Sequence, residues 1–319
     1  SERAVIVSAY DLILRDAATR EHLEPDFVLR IGELPTSKPL RTWLTDLDCP
    51  QVVLDPRGVW REPTRVAERV IVADPAATVE TASRMIEMPL TVPSWTSAWR
   101  IIELAAQSAA DETLSDVPYP FEPAVYRDLL RNLKGGATIF VSSSMPVRDV
   151  ETYAVPGRFD VRFLSNRGAN GIDGVVSSAL GAAVPYGCDR VILLTGDLTV
   201  LHDVGALSLI KRHGIDITIV CVDNDGGGIF SFLPVAGYQS HFEDKIATPS
   251  GVDLERVAKA FGLEYVTPAH PEQLLEAVEK PGFVHLQTNR EQNKVEHDRV
   301  AKAVLRSVAA ALAESGAAR

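Results

Sequence analysis

The sequence has 319 residues, long enough for two domains with cores of their own. Apolar residues make up 46% and charged residues 24%, the balance of a globular chain and not of a disordered or fibrous one. A net charge of −11 offers nothing to nucleic acid or to an anionic membrane, so an anionic ligand has to be met by local basic residues.

From the start to about Gln107, the short apolar runs "DFVLRIG", "QVVLDP" and "RVIVAD" alternate with helical or irregular stretches, the rhythm of a parallel α/β sheet. A helical pattern through "AWRIIELAAQSAA" leads into "SDVPYPFEP", whose three prolines read as a linker. The expected division is therefore 1–108, a linker over 109–121, and 122–319. The second part opens with the amphipathic "PAVYRDLLRNL", stopped by Gly135 and Gly136, and continues with five strand candidates: "TIFVSS", "VRFLS", "VILLTG", "ITIVCVD" and "FVHLQT". These runs are β-branched and hardly alternate, as expected where helices cover both faces of a parallel sheet. Helical patterns fall at 171–184, 200–213, 253–261 and 271–279, and a last one at 295–312. The fold expected is α/β, two doubly wound parallel sheets.

Cys49, Cys188 and Cys221 stand far apart and form no C-x-x-C pair, which fits a reducing, cytoplasmic setting better than a disulfide or zinc framework. No apolar run approaches the roughly 20 residues of a membrane span, and "SERAVIVSAYDLILRD" lacks the pattern of a signal peptide.

Four strands of the second part end in unusual polar words: "SSSMPVRD", "SNRGANGIDG", "TGDLTVLHD" and "DNDGGGIF". In a doubly wound sheet, ligands sit outside the carboxyl ends of the strands, so four such loops on one edge point to one site. Asp197 offers a carboxylate, Asn224 an amide oxygen and Gly226 a carbonyl, hard oxygens suited to magnesium, with phosphate oxygens and water completing the shell. Helices beginning near Val200 and after "SNRGANG" present free N–H groups to a phosphate, and the glycines allow backbone to approach it closely.

At this point the sequence resembles a known family. "GDL", 24 residues (199–222) and then "DN" is similar to the thiamine diphosphate enzyme signature GDG-x(24–27)-NN. Leu198 stands where the family has its second glycine and Asp223 where it has its first asparagine; neither departure removes a metal ligand. The longer words, with "RIGELPTSKPLRTWL" in the first part, resemble the synthases of menaquinone biosynthesis that join 2-oxoglutarate to isochorismate. The resemblance implies a middle domain that begins before residue 1, a diphosphate-binding domain after it, and an absent N-terminal pyrimidine-binding domain carrying the activating glutamate. A chain of this extent is then expected to be inactive by itself, and the working unit to be a homodimer or a dimer of dimers.

The reaction so implied is decarboxylation of 2-oxoglutarate and Stetter-like addition of the succinyl-semialdehyde unit to isochorismate, with thiamine diphosphate and Mg²⁺ (or Mn²⁺). Both substrates are dianions, and Arg148, Arg167 and Lys38 match cations that would meet them. Ile172 matches the apolar side chain that props the bent cofactor; Ile229, Phe230 and Leu233 match an apolar wall. Asp197, Asn224 and Gly226 match the metal ligands, while Ser144, Ser165, Gly196, Leu198, Thr199 and Gly228 fall where diphosphate or substrate oxygens are held. Read without the motifs, each arginine is a surface charge, each apolar residue a core residue and each serine a helix cap. His202 and His213 read as structural, at or within helices, and Asp173 as a first-turn carboxylate. Two rivals remain open: another thiamine diphosphate-dependent 2-oxo acid enzyme, such as an acetohydroxyacid synthase, and a non-catalytic cofactor-binding piece. A dinucleotide-binding oxidoreductase is disfavoured, since neither "GDLTVL" nor "DGGGIF" has the G-x-G-x-x-G spacing.

Overall fold

The computed structural model describes residues 6–59, 62–85, 94–154, 161–167, 171–184 and 190–314. The chain divides into two compact units, Ser1–Glu112 with Ala301–Arg319, and Thr113–Val300.

In the first unit, β1 (Val28–Ile31), β2 (Gln51–Leu54) and β3 (Arg69–Ile71) pair in parallel in that order, at the three runs the sequence marks. A buried pair, Arg30 and Glu62, stands 2.8 Å apart within it. Burial alone would raise the Glu62 pKa, but hydrogen bonds from Thr64 and Arg30, the Arg30 charge and the Ala67 N–H hold it down to about 2. The helix Ser94–Ser115 carries on through 109–115, so the first half of the expected linker is helical. Ala106, Ala110 and Leu114 are buried on it, which explains why the pattern does not stop at the linker.

The second unit is one six-stranded parallel sheet: β4 (Ala137–Val141), β5 (Val161–Leu164), β6 (Val191–Gly196), β7 (Ile217–Asp223), β8 (Tyr265–Val266) and β9 (Gly282–Gln287). Their order across the sheet is β5-β4-β6-β7-β9-β8. Period-two alternation sends successive side chains to opposite faces. Ile139, Ile192, Leu194, Val220 and Val284 pack with Val125, Leu129 and Leu274 on one side. Phe140, Leu193, Ile219, Cys221 and Phe283 pack with Val176, Leu180, Val200 and Leu254 on the other. Both faces are thus covered, which is why the runs read as continuously apolar.

Three departures from the sequence reading have local causes. The two-residue edge strand β8 is too short to leave an apolar run. The helix expected over 200–213 is a helix Asp197–His202, a 3₁₀ turn Val204–Leu207 and a helix Ser208–His213, and Gly205 within the turn is a poor continuer of a helix. The helix expected from 171 begins at Val175, because Gly174 is left-handed at φ 66°. Cys49 and Cys221 are free; Cys188 lies outside the described residues. Among the described residues, no helix is long and apolar enough to cross a membrane.

Candidate functional site

The chain runs from β4 outward to β5 and then crosses to the other side of β4 to form β6. The crevice beyond the carboxyl ends of β4 and β6 is therefore a topological switch point, the place where doubly wound sheets take ligands. A cavity of about 360 Å³ opens there. It brings together Ser144, Arg148, Ile172, Gly196, Asp197, Leu198, Thr199, Asn224, Gly226, Gly228, Ile229 and Phe230, residues from four separate loops of the sequence.

β6 ends at Gly196, and Asp197 opens the next helix, 3% exposed. Its Oδ2 accepts the Gly226 N–H at 2.7 Å. Burial, and then the charge of Asp223, push its pKa up to about 7 against the pull of backbone N–H groups. A buried carboxylate in that state is a seat for a cation. Beside it Asn224 donates from Nδ2 to Glu122 Oε1 at 2.9 Å, while its Oδ1 is buried with no hydrogen-bond partner among the described residues. An orphaned acceptor of this kind costs about 1–3 kcal/mol until something meets it.

Two of the three glycines after Asp225, Gly226 and Gly228, leave no room for a side chain. Gly226 has φ 137°, and a Cβ on it would lie 2.5 Å from the Ala247 carbonyl oxygen; one on Gly228 would lie 2.6 Å from Asn224 Nδ2. Bare backbone thus lets the loop fold back over Asn224. Among the described residues no three His, Cys, Asp or Glu side chains cluster as a metal site. The oxygens available are a mixed set, the Asp197 carboxylate, Asn224 Oδ1 and the Gly226 carbonyl, which also accepts the Gly228 N–H at 3.0 Å. A buried carboxylate beside a partnerless amide oxygen and a glycine cradle fits Mg²⁺, which takes few protein oxygens and leaves places for phosphate and water.

On the β4 side, Ser144 stands at φ 75° before the helix Met145–Tyr153. A serine held there is a strained position of the sort found at ligand sites. The Arg148 guanidinium donates to the Ser144 carbonyl, so the arginine is turned back toward that strained turn. Ser142 and Thr199 hydroxyls lie 3.1 Å apart, joining the ends of β4 and β6.

Ser165, Arg167 and Leu233 lie outside the lining of this cavity. The first two follow β5, at the sheet edge, and Leu233 is 46% exposed. Lys38 is the exposed first residue of a helix, Lys38–Asp46, in the other unit. Residues 168–170 of "SNRGANG" lie outside the described residues. His202 and His213 are exposed at helix ends, and Asp173 is exposed before Gly174. Sequence reasoning missed Glu122, Tyr126, Met145 and Pro146, all at the cavity. It also missed the partner of Asp223: His285 Nε2 stands 2.8 Å from Asp223 Oδ2, and Tyr265 Oη 2.6 Å from His285 Nδ1. Burial alone would raise the Asp223 pKa, but the His285 hydrogen bond, the Asp225 N–H and the His285 charge lower it, which accounts for a carboxylate being tolerated there.

Residues 154–286 match the family described as thiamine pyrophosphate enzyme, C-terminal TPP binding domain. Over 314 residues the chain is 38% identical to the 2-succinyl-5-enolpyruvyl-6-hydroxy-3-cyclohexene-1-carboxylate synthase of Bacillus velezensis, an alignment covering 96% of this chain and 54% of that protein. The synthase of the same name from Listeria welshimeri is 35% identical over 300 residues, 92% of this chain and 51% of that one. That from Bacillus pumilus is 37% identical over 314 residues, 95% and 53%. The chain spans about half the length of the curated relatives it matches.

Proposed function

On the premise that this chain carries the C-terminal TPP binding domain of a thiamine pyrophosphate enzyme and aligns over nearly all its length with those synthases, we propose that the whole protein decarboxylates 2-oxoglutarate and joins the resulting succinyl-semialdehyde unit to isochorismate. One observation carries the reading at the level of this chain: the buried Asp197 carboxylate and the partnerless Asn224 Oδ1 open into one cavity under a glycine loop.

Asp197, Asn224 and the Gly226 carbonyl would hold Mg²⁺ or Mn²⁺. Gly196, Leu198, Thr199, Gly228 and Ser144 would hold the diphosphate, with Ser165 a further candidate beyond the cavity. Thiamine diphosphate supplies, when bound, the electron sink that lets a 2-oxo acid lose CO₂ and react as an acyl-anion equivalent. Ile172 lines the cavity and would prop the cofactor's two rings; Ile229 and Phe230 line it as well and would shield the reacting end from water, with Leu233 a further candidate for that apolar wall. Arg148, Arg167 and Lys38 are assigned to the carboxylates of the two substrates, for which a guanidinium fork is the better partner. The reading takes the working unit to be a homodimer or a dimer of dimers, in which a domain outside this chain completes the site.

The test is to supply the full-length protein with thiamine diphosphate, Mg²⁺, 2-oxoglutarate and isochorismate and to follow isochorismate loss together with product mass. The expected result is consumption that depends on both the cofactor and 2-oxoglutarate, with a product heavier by the succinyl-semialdehyde unit. Decarboxylation alone, or a preference for pyruvate, would leave the cofactor site standing and sink the synthase assignment.

A further inference from the structure

Glu122 is a buried carboxylate at the cavity to which the reading above gives no task. It is 2% exposed, at the first turn of the helix Glu122–Asn132, and it lies 102 residues before Asn224 in sequence. Its Oε1 accepts from Asn224 Nδ2 at 2.9 Å and from Thr288 Oγ1 at 3.0 Å.

A primary amide is nearly symmetric in shape, and a half-turn about its last bond exchanges oxygen for nitrogen. Which end faces a ligand is decided by the partner of the other end. An oxygen that already takes the Thr288 hydroxyl proton can only accept, so it draws the Asn224 NH₂ and turns Oδ1 the other way. Burial pushes the Glu122 pKa up, and the charge of Asp149 adds to this, against the hydrogen bonds and His297. A proton taken up goes to Oε2, because Oε1 has two donors, so the orientation holds in either state. The surroundings close the remaining freedom. Thr288 is tied to β7 by its N–H to the Asp223 carbonyl at 2.8 Å. Arg290 Nε donates to the Asn224 carbonyl at 3.1 Å, and the amide packs against the bare Cα of Gly228.

We infer that Glu122 is a positioning residue that locks the Asn224 amide with Oδ1 toward the cation, as the groups behind metal ligands do generally. The inference rests on the reading of Asn224 as a cation ligand. With the amide reversed, an NH₂ group would face the ion, and the ligand would be lost although the asparagine remained.

The probe is Mn²⁺, titrated into the full-length protein with thiamine diphosphate present, with free ion read by electron paramagnetic resonance. Glu122→Ala is expected to weaken Mn²⁺ binding by about 10–100-fold. Glu122→Gln keeps an acceptor for Nδ2 and is expected to restore binding to within about threefold of the parent. In an Asn224→Ala background the Glu122→Ala effect should vanish, since the residue acts through Asn224. If Glu122→Ala does not fold, the exchanged pair Glu122→Gln with Asn224→Asp serves, because it keeps one amide, one carboxylate and the bond between them. It is expected to bind Mn²⁺ at least as tightly as the parent, and binding more than about tenfold weaker would overturn the inference. So would unchanged affinity in Glu122→Ala, provided Asp197→Asn lowers it. Equal affinity for Asp197→Asn and the parent would instead remove the cation site itself.

Discussion

Gly226→Ala tests whether the glycine loop is built around its own backbone or merely tolerates small residues. Two terms add. At φ 137° an L side chain is strained by about 1–3 kcal/mol. The new Cβ would also stand 2.5 Å from the Ala247 carbonyl oxygen, which is itself held by the Gly227 N–H at 2.7 Å. Clearing that overlap takes a shift of at least half an ångström and sacrifices the bond, leaving a buried donor unpaired at about 1–3 kcal/mol. The substitution also restricts the unfolded chain, which returns about 0.4–1 kcal/mol, so the net loss is roughly 1–5.5 kcal/mol. Gly214→Ala is the control: it is left-handed at φ 60° with nothing among the described residues within 4 Å of the new Cβ, so it carries only the backbone strain. Urea unfolding of the two variants, compared at their midpoints, should separate them by about 0.5–1.5 M, the overlap term alone, for a slope of roughly 2 kcal/mol/M. Midpoints that coincide would refute the overlap argument and with it the claim that this loop needs bare backbone.

Arg148→Ala is expected to raise the KM for a dicarboxylate substrate by tenfold or more while thiamine diphosphate affinity changes less, and Arg148→Lys should not rescue it, because an ammonium lacks the fork; on the order of 10–100-fold is the size expected for a charge-assisted pair. Equal losses in substrate and cofactor binding would make Arg148 a structural or phosphate-binding residue. Glu62 has its folded pKa depressed from 4.5 to about 2, so its contribution is present above pH 4.5 and is lost as pH falls toward 2. Glu62→Gln should flatten the acid limb of thermal stability across that window, and an unchanged limb would count against the Arg30–Glu62 pair. His297 is buried among the Phe121, Tyr153 and Phe232 rings, with Nε2 2.9 Å from Asp149 and Nδ1 2.7 Å from the Asn293 carbonyl. Burial alone would lower its pKa, but the charge and hydrogen bond of Asp149, with the Asn293 carbonyl and Glu122, raise it above 6.5. Its stabilisation is therefore complete below pH 6.5 and is lost as pH rises through the folded-state value, a decline that His297→Gln should abolish.

What could be read from the sequence follows from how far each signal reaches along the chain. Strands buried on both faces leave unbroken apolar runs, so β4, β6, β7 and β9 are legible; β5 is an edge strand and largely exposed, legible from the apolar residues of "VRFLS" alone, while β8, two residues at the other edge, leaves no run. Asp197 and Asn224 are legible because each follows directly on the carboxyl end of an apolar run, the edge on which a doubly wound sheet gathers its ligands. Being next to a motif is a weaker guide. Ser165 and Arg167 follow the outermost strand on that side, β5, which keeps them out of the cavity beyond β4 and β6 although their word is as distinctive as the others.

Glu122 shows where such reading stops. In the sequence it is an acid at a helix start, a position that helix dipoles favour for reasons unrelated to any ligand. Its meaning comes from Asn224 and Thr288, 102 and 166 residues away, and from a burial that no local pattern announces. The residues proposed to supply a cation's oxygens can be found from their place at strand ends, because the sheet gathers those ends on one edge. Those that aim the oxygens come from whichever helix the core happens to pack beside them, here one fixed by Val125 and Leu129 against β4, β6 and β7. Orientation is thus a property of the packed core, and a change in that helix should reach the proposed cation site without touching any of the residues assigned to it.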